Sequence, residues 1–243
     1  MAEDIFDFWA RIPDDARVHP ADAEVFERQP GWPKGEERPG ERSNHNFNLD
    51  CLPIGFFGPL RTARVVLLFL SPGYDDFDTA HAQSVAGRTY YREQRGGLRS
   101  LPSQSDHEGA HRWWTRVARQ FSPDPVALAD QIAILNIGAY HSRKFHDWHM
   151  LTALQSSRVA LDHAQQVLFP QAEAGERVVV CLRSARLWGL SRGKDGKGRQ
   201  FGKSLFVPSC TPGGMMHHCN VRLATIAAVR DAVGLDASAP RSV

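Results

Sequence analysis

Long hydrophobic runs are missing from this sequence. Its 243 residues contain no apolar stretch of about 18 or more, the length that a membrane-spanning helix needs. The first residues, MAEDIFD, are acidic, whereas a secretory signal peptide begins with basic residues. Both observations predict a protein that is neither inserted into a membrane nor secreted, and we expect a cytoplasmic monomer.

Cysteine is also scarce. The four cysteines, Cys51, Cys181, Cys210 and Cys219, form no C-x-x-C pair, so neither a disulfide framework nor a cysteine-ligated cluster is indicated. Eight residues separate Cys210 from Cys219, which is not a common zinc spacing even with His217 nearby. No G-x-G-x-x-G or Walker A sequence indicates a nucleotide. We therefore expect no metal and no cofactor.

Charge is nearly balanced over the chain, at +2, but it is unevenly distributed. Residues 192–203 carry five basic residues, one acid and four glycines. Such a loop can follow a phosphate backbone, although basic surface loops also serve solubility alone. A second basic segment, 88–99, contains Tyr90 and Tyr91, and interleaved aromatic residues suit a single nucleic-acid strand. The predicted DNA contacts of the first loop are Arg192, Lys194, Lys197, Arg199 and Lys203.

Short apolar runs alternate with helical patterns after residue 63. Near-continuous Val, Ile and Leu runs suit strands that are covered on both faces. We therefore expect a three-layer α/β/α domain at residues 51–235, built on a mainly parallel, four-stranded sheet. An N-terminal helix and an extended wrap (1–50) precede it, and a flexible tail (236–243) follows. The predicted strands are 64–70, 132–137, 177–182 and 205–208, and the predicted helices are 4–12, 107–121, 148–169 and 220–233.

Three of the predicted strands end in polar or backbone-exposing residues. The first is followed by SPGY (71–74), the second ends in LNIGAYHS (135–142), and the last leads into PSCTPGG (208–214). In parallel sheets, ligands bind outside the carboxyl ends of the strands, where such loops meet. We expect the functional site at that edge.

These strand ends resemble those of the uracil-DNA glycosylase superfamily. In that family one strand ends in an Asn- or Asp-Pro turn, a second in an Asn after apolar residues, and the last in a His-Pro-Ser loop. The counterparts, in the same order, are LSPG (70–73), ILN (134–136) and VPS (207–209). In addition, LPIGFFGPL (52–60) is similar to the family's lead-in to its first strand. The resemblance covers about residues 50–233 and implies a metal-free enzyme that excises uracil from single- or double-stranded DNA.

The resemblance also implies a pocket for a base that has left the DNA stack. Asn136 is the counterpart of the base reader, since its amide can accept from uracil N3–H and donate to O4. The backbone N–H groups of Gly73 and Tyr74 can approach the base, because glycine has no Cβ, although an ordinary β-turn explains them too. Phe77 is our first choice for the stacking ring, with Tyr74 and Tyr90 as alternatives. Some family members exclude thymine with a Tyr where this chain has Gly73, so its base range can extend beyond uracil.

Two departures from the family pattern affect the expected chemistry. Ser71 stands where the family has the Asp or Asn that positions water, and a serine cannot act as a general base near neutral pH. Asp75 is the carboxylate that we expect in that role, with solvated turn acids as the alternative. Val207 replaces the His that hydrogen-bonds the departing base, and His217 or His218 can supply that contact instead.

The loop after the last strand completes the predicted site. Ser209 belongs to the VPS motif and is assigned to the base pocket together with His218. Met215 or Met216 can act as an apolar wedge that fills the vacated position in the DNA. Helix capping, solvation or core packing are the structural alternatives for these histidines and methionines.

Three functional hypotheses follow. The first is a uracil-DNA glycosylase of base-excision repair, using Ser71, Asp75 and His217. The second is a glycosylase-like protein that binds DNA with weakened catalysis, which the departures at Ser71 and Val207 favour. The third is an unrelated α/β enzyme that uses the segment from His141 to His146, including Ser142, although no G-x-S-x-G sequence accompanies it.

Overall fold

The computed structural model describes residues 3–32, 44–219 and 221–235. They form a mixed six-stranded sheet with helices, so the α/β class is confirmed. Within these ranges no helix has the length and apolar character needed to cross a bilayer. The strands are β1 (Phe56–Phe57), β2 (Val65–Phe69), β3 (Ile132–Asn136), β4 (Val178–Cys181), β5 (Gly198–Phe201) and β6 (Leu205–Pro208). The α-helices are α1 (Ile5–Ala10), α2 (Ala23–Arg28), α3 (Asp76–Gln83), α4 (Val85–Gln94), α5 (Glu108–Ala118), α6 (Trp148–Ala153), α7 (Gln155–His163), α8 (Phe169–Ala174) and α9 (Arg222–Ala232).

The strand order is β1-β3-β2-β4-β6-β5. The four inner strands are parallel to one another, and each of the two edge strands pairs antiparallel with the strand beside it. The expected count of four strands was therefore too low. A search for runs of apolar residues does not find the two additional strands, because β1 has only two residues and β5 is a half-exposed GRQF segment.

Alternate residues of β2 pack into two separate cores. Val66 and Leu68 belong to a cluster that includes residues of α1, α7 and α8. Val65 and Leu67 belong to a second cluster that includes residues of α5 and α9. All five β2 residues are buried, as expected for a strand with side chains packed on both faces. Each fully buried Val or Leu contributes about 1.5–3 kcal/mol.

The predicted long helix at 148–169 is divided into segments. Leu154 has an extended backbone (ψ 127°) between α6 and α7. The N–H of Ser156 donates to the buried Asp22 carboxylate, 3.1 Å away, so a distant side chain supplies a partner at the start of α7. Five residues of π-helix, Ala164–Leu168, then join α7 to α8.

The N-terminal segment contributes to the main core. Asp4 caps α1 by accepting from the N–H groups of Phe6 and Asp7, and Ile5 and Phe8 are fully buried. Most of the expected extended wrap, residues 33–43, and the expected tail, residues 236–243, lie outside the described residues.

Three buried histidines remain neutral in the fold. Burial lowers the pKa of His45 to about 4 and that of His163 to about 4, with the nearby His149 adding to the effect at His45. Burial, together with His107, lowers the pKa of His81 to about 3. The ring of His81 also stacks on that of His107, with centroids 4.1 Å apart.

We expect the free energy of unfolding to fall as the pH drops from 6.5 toward 4. In this window the unfolded chain protonates its histidines near pH 6.5, while the folded chain keeps His45, His81 and His163 neutral. Each contributes up to about 1.4 kcal/mol per pH unit. Urea unfolding at pH 7, 6 and 5 measures this slope. His163→Gln removes one titrating group and should make the slope shallower; an unchanged stability across this range would contradict the assignment.

Candidate functional site

A cavity of about 690 Å³ lies at the carboxyl ends of β2 and β3. Phe69 pairs with Asn136 in the parallel register of these strands. The turn after β2 and the Asn side chain therefore leave the sheet side by side, as the sequence predicts. The lining comprises Phe57, Phe69, Ser71, Pro72, Gly73, Tyr74, Asp75, Asp78, Gly109, Ala110, Arg112, Trp113, Arg116, Asn136, His141, Ser142, Arg143, Lys144, Phe145, His146, Arg183 and Pro212.

The Asn136 side chain is held in one orientation. Its Nδ2 donates to the carbonyl of Ile54 at 3.1 Å, and its backbone N–H donates to the carbonyl of Gly55 at 2.8 Å. Within the described residues, Oδ1 has no hydrogen-bond donor. The amide therefore has an acceptor and one N–H still available at the cavity wall, although the residue is only 3% exposed.

The lead-in segment 52–60, before β2, supplies the Ile54 and Gly55 carbonyls that hold Asn136. Two of its residues, Phe56 and Phe57, form β1 and pair with β3. Gly55 lies directly against the Trp9 indole, where a Cβ would come within 2.5 Å of ring atoms. Helix α1 thus packs directly behind the residues that hold Asn136.

Gly73, in the turn after β2, lines the cavity and has free space where a Cβ would lie. An added Cβ at Gly73 would meet no described atom within 4 Å. Its carbonyl is held by Nδ1 of His141 at 2.6 Å, and Nε2 of the same ring lies 3.1 Å from the Leu52 carbonyl. Ser71 and Tyr74 are half-buried lining residues of the same turn.

Asp75 lines the cavity and also begins α3. It accepts the N–H of Phe77 at 2.9 Å, as the N-cap of a capping box. Its Oδ2 lies 3.7 Å from the Arg112 guanidinium. The predicted water-positioning carboxylate is therefore at the cavity, with one oxygen engaged in the helix cap.

Asp78 is a second cavity carboxylate, and the sequence did not single it out. His107 Nε2 lies 3.1 Å from its Oδ1, and the Asp75 N–H donates to its Oδ2 at 2.7 Å. Burial alone would raise the pKa of Asp78, but the hydrogen bond from His107 and the nearby His141 hold it below the usual value. The capping-box spacing to Asp75 is the sequence signal that indicates its place.

The aromatic wall differs from the predicted one. Phe69 and Trp113 line the cavity edge to face, with centroids 4.9 Å apart, and Phe57 joins them. Phe77 is 37% exposed, is not among the described lining residues, and has the Arg112 guanidinium 5.1 Å from its ring. Phe77 was a poor choice because the first turn of α3 directs it to the surface, whereas Phe69 ends the strand itself.

Basic side chains surround the cavity, and the sequence interpretation missed them. Arg112 and Arg116 lie four residues apart on α5 and therefore share a helix face. The Arg143 guanidinium lies 5.3 Å from the centre of the Tyr74 ring, and Arg183 donates a hydrogen bond to the Pro212 carbonyl at 2.9 Å. The described lining includes Arg112, Arg116, Arg143, Lys144 and Arg183.

The predicted basic loop does not line the cavity. Gly198 pairs with Pro208 at the carboxyl end of β6, so Arg192, Lys194 and Lys197 lie toward the same edge as the cavity. Lys203 lies at the opposite end of β6, where its Nζ donates to the Ala174 carbonyl at 3.2 Å. No residue of 192–203 is among the described residues that line the cavity. Arg199 lies over the Phe201 ring at 4.5 Å.

The second basic segment was misinterpreted. Tyr90 and Tyr91 are each only 2% exposed and belong to the cores. Tyr90 donates to the Ser100 carbonyl at 3.0 Å. Arg95 pairs with Asp14. On α4, Arg92 also pairs with Asp14 and Arg88 donates to the Gln83 carbonyl. Because both tyrosines are buried, this segment offers no exposed aromatic surface.

The loop after β6 forms a tight hairpin. The backbones of Cys210 and Met216 form an isolated antiparallel β-bridge, and the His217 N–H donates to the Ser209 carbonyl at 2.8 Å. His217 and His218 are exposed, Ser209 and Met215 are half-buried, and Pro212 is the residue of this loop that lines the cavity. The structure therefore does not bring the four predicted residues to the cavity lining; its histidines there are His141 and His146.

The alternative based on His141 and Ser142 receives limited support. Both residues line the cavity, and the Ser142 hydroxyl is buried with no hydrogen-bond partner among the described residues. However, both ring nitrogens of His141 face backbone carbonyls, so neither is placed to take a proton from Ser142. Across the described ranges no three His, Cys, Asp or Glu side chains are grouped to hold a metal ion.

Comparison with known proteins gives no match: no family model, curated protein or solved structure matches this chain.

We expect Asp75→Ala to lower the free energy of unfolding by about 1 kcal/mol, since it removes the N-cap of α3. Asp75→Asn should have little effect, because asparagine caps helices about as well as aspartate. Urea unfolding of both variants checks the assignment. Equal destabilisation by the two substitutions would show that the charge, and not the cap, is what matters.

Proposed function

We propose that this protein is a DNA glycosylase that hydrolyses the N-glycosidic bond of uracil in DNA, acting in base-excision repair. The observation that carries the proposal is the meeting of Asn136 and the Ser71–Tyr74 turn in one cavity, walled by aromatic rings and surrounded by cations. Such a cavity offers what a base-excising enzyme requires: stacking, reading of the base edge and attraction of the phosphate backbone. The three-layer, glycosylase-like arrangement of the domain is part of this proposal.

Asn136 reads the base in this account. With Nδ2 bound to the Ile54 carbonyl, the free Oδ1 accepts from uracil N3–H and the second Nδ2 hydrogen donates to O4. Cytosine presents the opposite pattern, because its N3 is an acceptor and its amino group is a donor. The fixed amide therefore discriminates against cytosine.

Charge then assists the departure of the base. Water adds its oxygen to the sugar C1′ as the C1′–N1 bond breaks; the uracil leaves as an anion and takes up the proton that the water gives up. The cations around the cavity, Arg116 and Arg183 among them, favour the developing negative charge. Asp75 or Ser71 orients the water, and Asp78 keeps the turn in place through the Asp75 N–H.

A DNA-binding protein with weakened catalysis is the second candidate. Val207 is fully buried inside β6, so the position of the family's histidine holds a core residue here. Ser71 supplies no carboxylate at the other family position. DNA binding without excision would favour this candidate.

We expect the protein to release uracil from an oligonucleotide, leaving an alkali-sensitive abasic site. Asn136→Ala should reduce the rate at least about 100-fold, since hydrogen-bond loss at such sites costs about 2.7–4 kcal/mol. Alkaline cleavage of single-stranded and duplex substrates measures this, with thermal unfolding to verify that the variant is folded. Undiminished excision by a folded Asn136→Ala would exclude Asn136 as the reader.

The Gly73→Ala variant distinguishes an effect on base binding from an effect on the thermal stability of the protein. The added methyl meets no protein atom within 4 Å, so the unfolding temperature should stay within a degree or two of wild type. If a base approaches this turn, the same methyl should lower excision by roughly tenfold or more. Excision at the wild-type rate would mean that the base does not contact Gly73.

A further inference from the structure

An exposed tryptophan lies next to the cavity wall. Trp148, the first residue of α6, is 48% exposed. Its ring packs edge to face against Phe145, with centroids 5.0 Å apart, and Phe145 lines the cavity. Phe145 in turn packs against Phe47 at 5.7 Å, so the wall that supports Trp148 is anchored in the core.

Exposed cations accompany this tryptophan. Arg143 and Lys144 are exposed and line the cavity on the same loop. Arg143 lies over the ring of Tyr74, which ties the loop to the turn after β2. An exposed aromatic ring at the cavity wall, with two exposed cations on the loop that precedes it, matches the chemistry of a nucleotide, which has a base to stack and a phosphate to neutralise.

We propose that Trp148 is a stacking platform for an unpaired base next to the one held in the cavity, and that it makes single-stranded DNA the preferred substrate. The identity of the polymer rests on the proposed function; the platform itself rests on the geometry of this loop. Trp148 packs against Phe145, and Phe145 lines the cavity, so the exposed ring is adjacent to the cavity wall. In a duplex the neighbouring bases already stack and pair with each other, so Trp148 can gain little there.

Unmodified oligonucleotides test the platform separately from excision. We would measure the affinity of the full chain for a fluorescent oligothymidine and for a duplex of the same length, at one low salt concentration. Trp148→Ala should weaken single-strand binding roughly 5- to 150-fold, the range of base stacking on an aromatic ring. Duplex binding should change far less. Trp148→Phe should retain most of the single-strand affinity.

The control is Leu223→Ala, which removes a side chain that is 77% exposed on α9 and should leave both affinities unchanged. Equal losses on single strand and duplex, or no loss on either, would overturn the inference. A change of molecular mass in solution with Trp148→Ala would also overturn it, since the ring would then cover a second protein molecule. If Trp148→Ala weakens single-strand binding but wild type excises no uracil, the platform stands and the glycosylase proposal fails.

Discussion

The hydrogen bond from the Asn136 side chain to the Ile54 carbonyl fixes the orientation of the amide at the cavity wall. A buried amide must satisfy its polar atoms or lose free energy, and here one donor is satisfied by the lead-in segment 52–60. The same segment pairs with β3 and fits against the Trp9 ring through Gly55. The orientation of one polar side chain at the carboxyl edge thus depends on packing that extends to the first helix of the chain.

Electrostatics adds the second constraint. The described lining includes five basic side chains and two carboxylates. One carboxylate, Asp78, is held by His107 and the Asp75 N–H, and the other, Asp75, caps α3. Both carboxylates therefore already have hydrogen-bond partners within the protein, whereas the side chains of Lys144 and Arg143 are exposed to solvent. This asymmetry favours an anionic ligand at the mouth of the cavity.

Much of the fold was predictable, because apolar runs report burial directly. The four inner strands were predicted to within one residue at each end, and Asn136 and the turn after β2 were expected at one edge. The helices α3 and α4 were missed because they are polar and begin at capping residues, not at an apolar stripe. The edge strands were missed because pairing, and not hydrophobicity, defines them.

The site was less predictable than the fold, because its parts come from segments distant in sequence. Trp113 and Arg116 reach the cavity from α5, and Arg183 reaches it from the end of β4. Nothing in the sequence near 71–77 indicates these contacts. Conversely, Phe77 and His217 are close to the motifs along the chain but are exposed, since Phe77 lies in the first turn of α3 and His217 follows the hairpin after β6.

A crystal structure with a bound oligonucleotide would test the central claim most directly. The oligonucleotide would carry 2′-fluoro-2′-deoxyuridine, whose fluorine destabilises positive charge on the sugar and slows hydrolysis. We predict that the uracil lies in the cavity, with N3 and O4 within about 3 Å of the Asn136 amide and the ring against Phe69 or Trp113. A base that stays stacked in the DNA, or DNA bound at another surface while the cavity holds no base, would contradict the account.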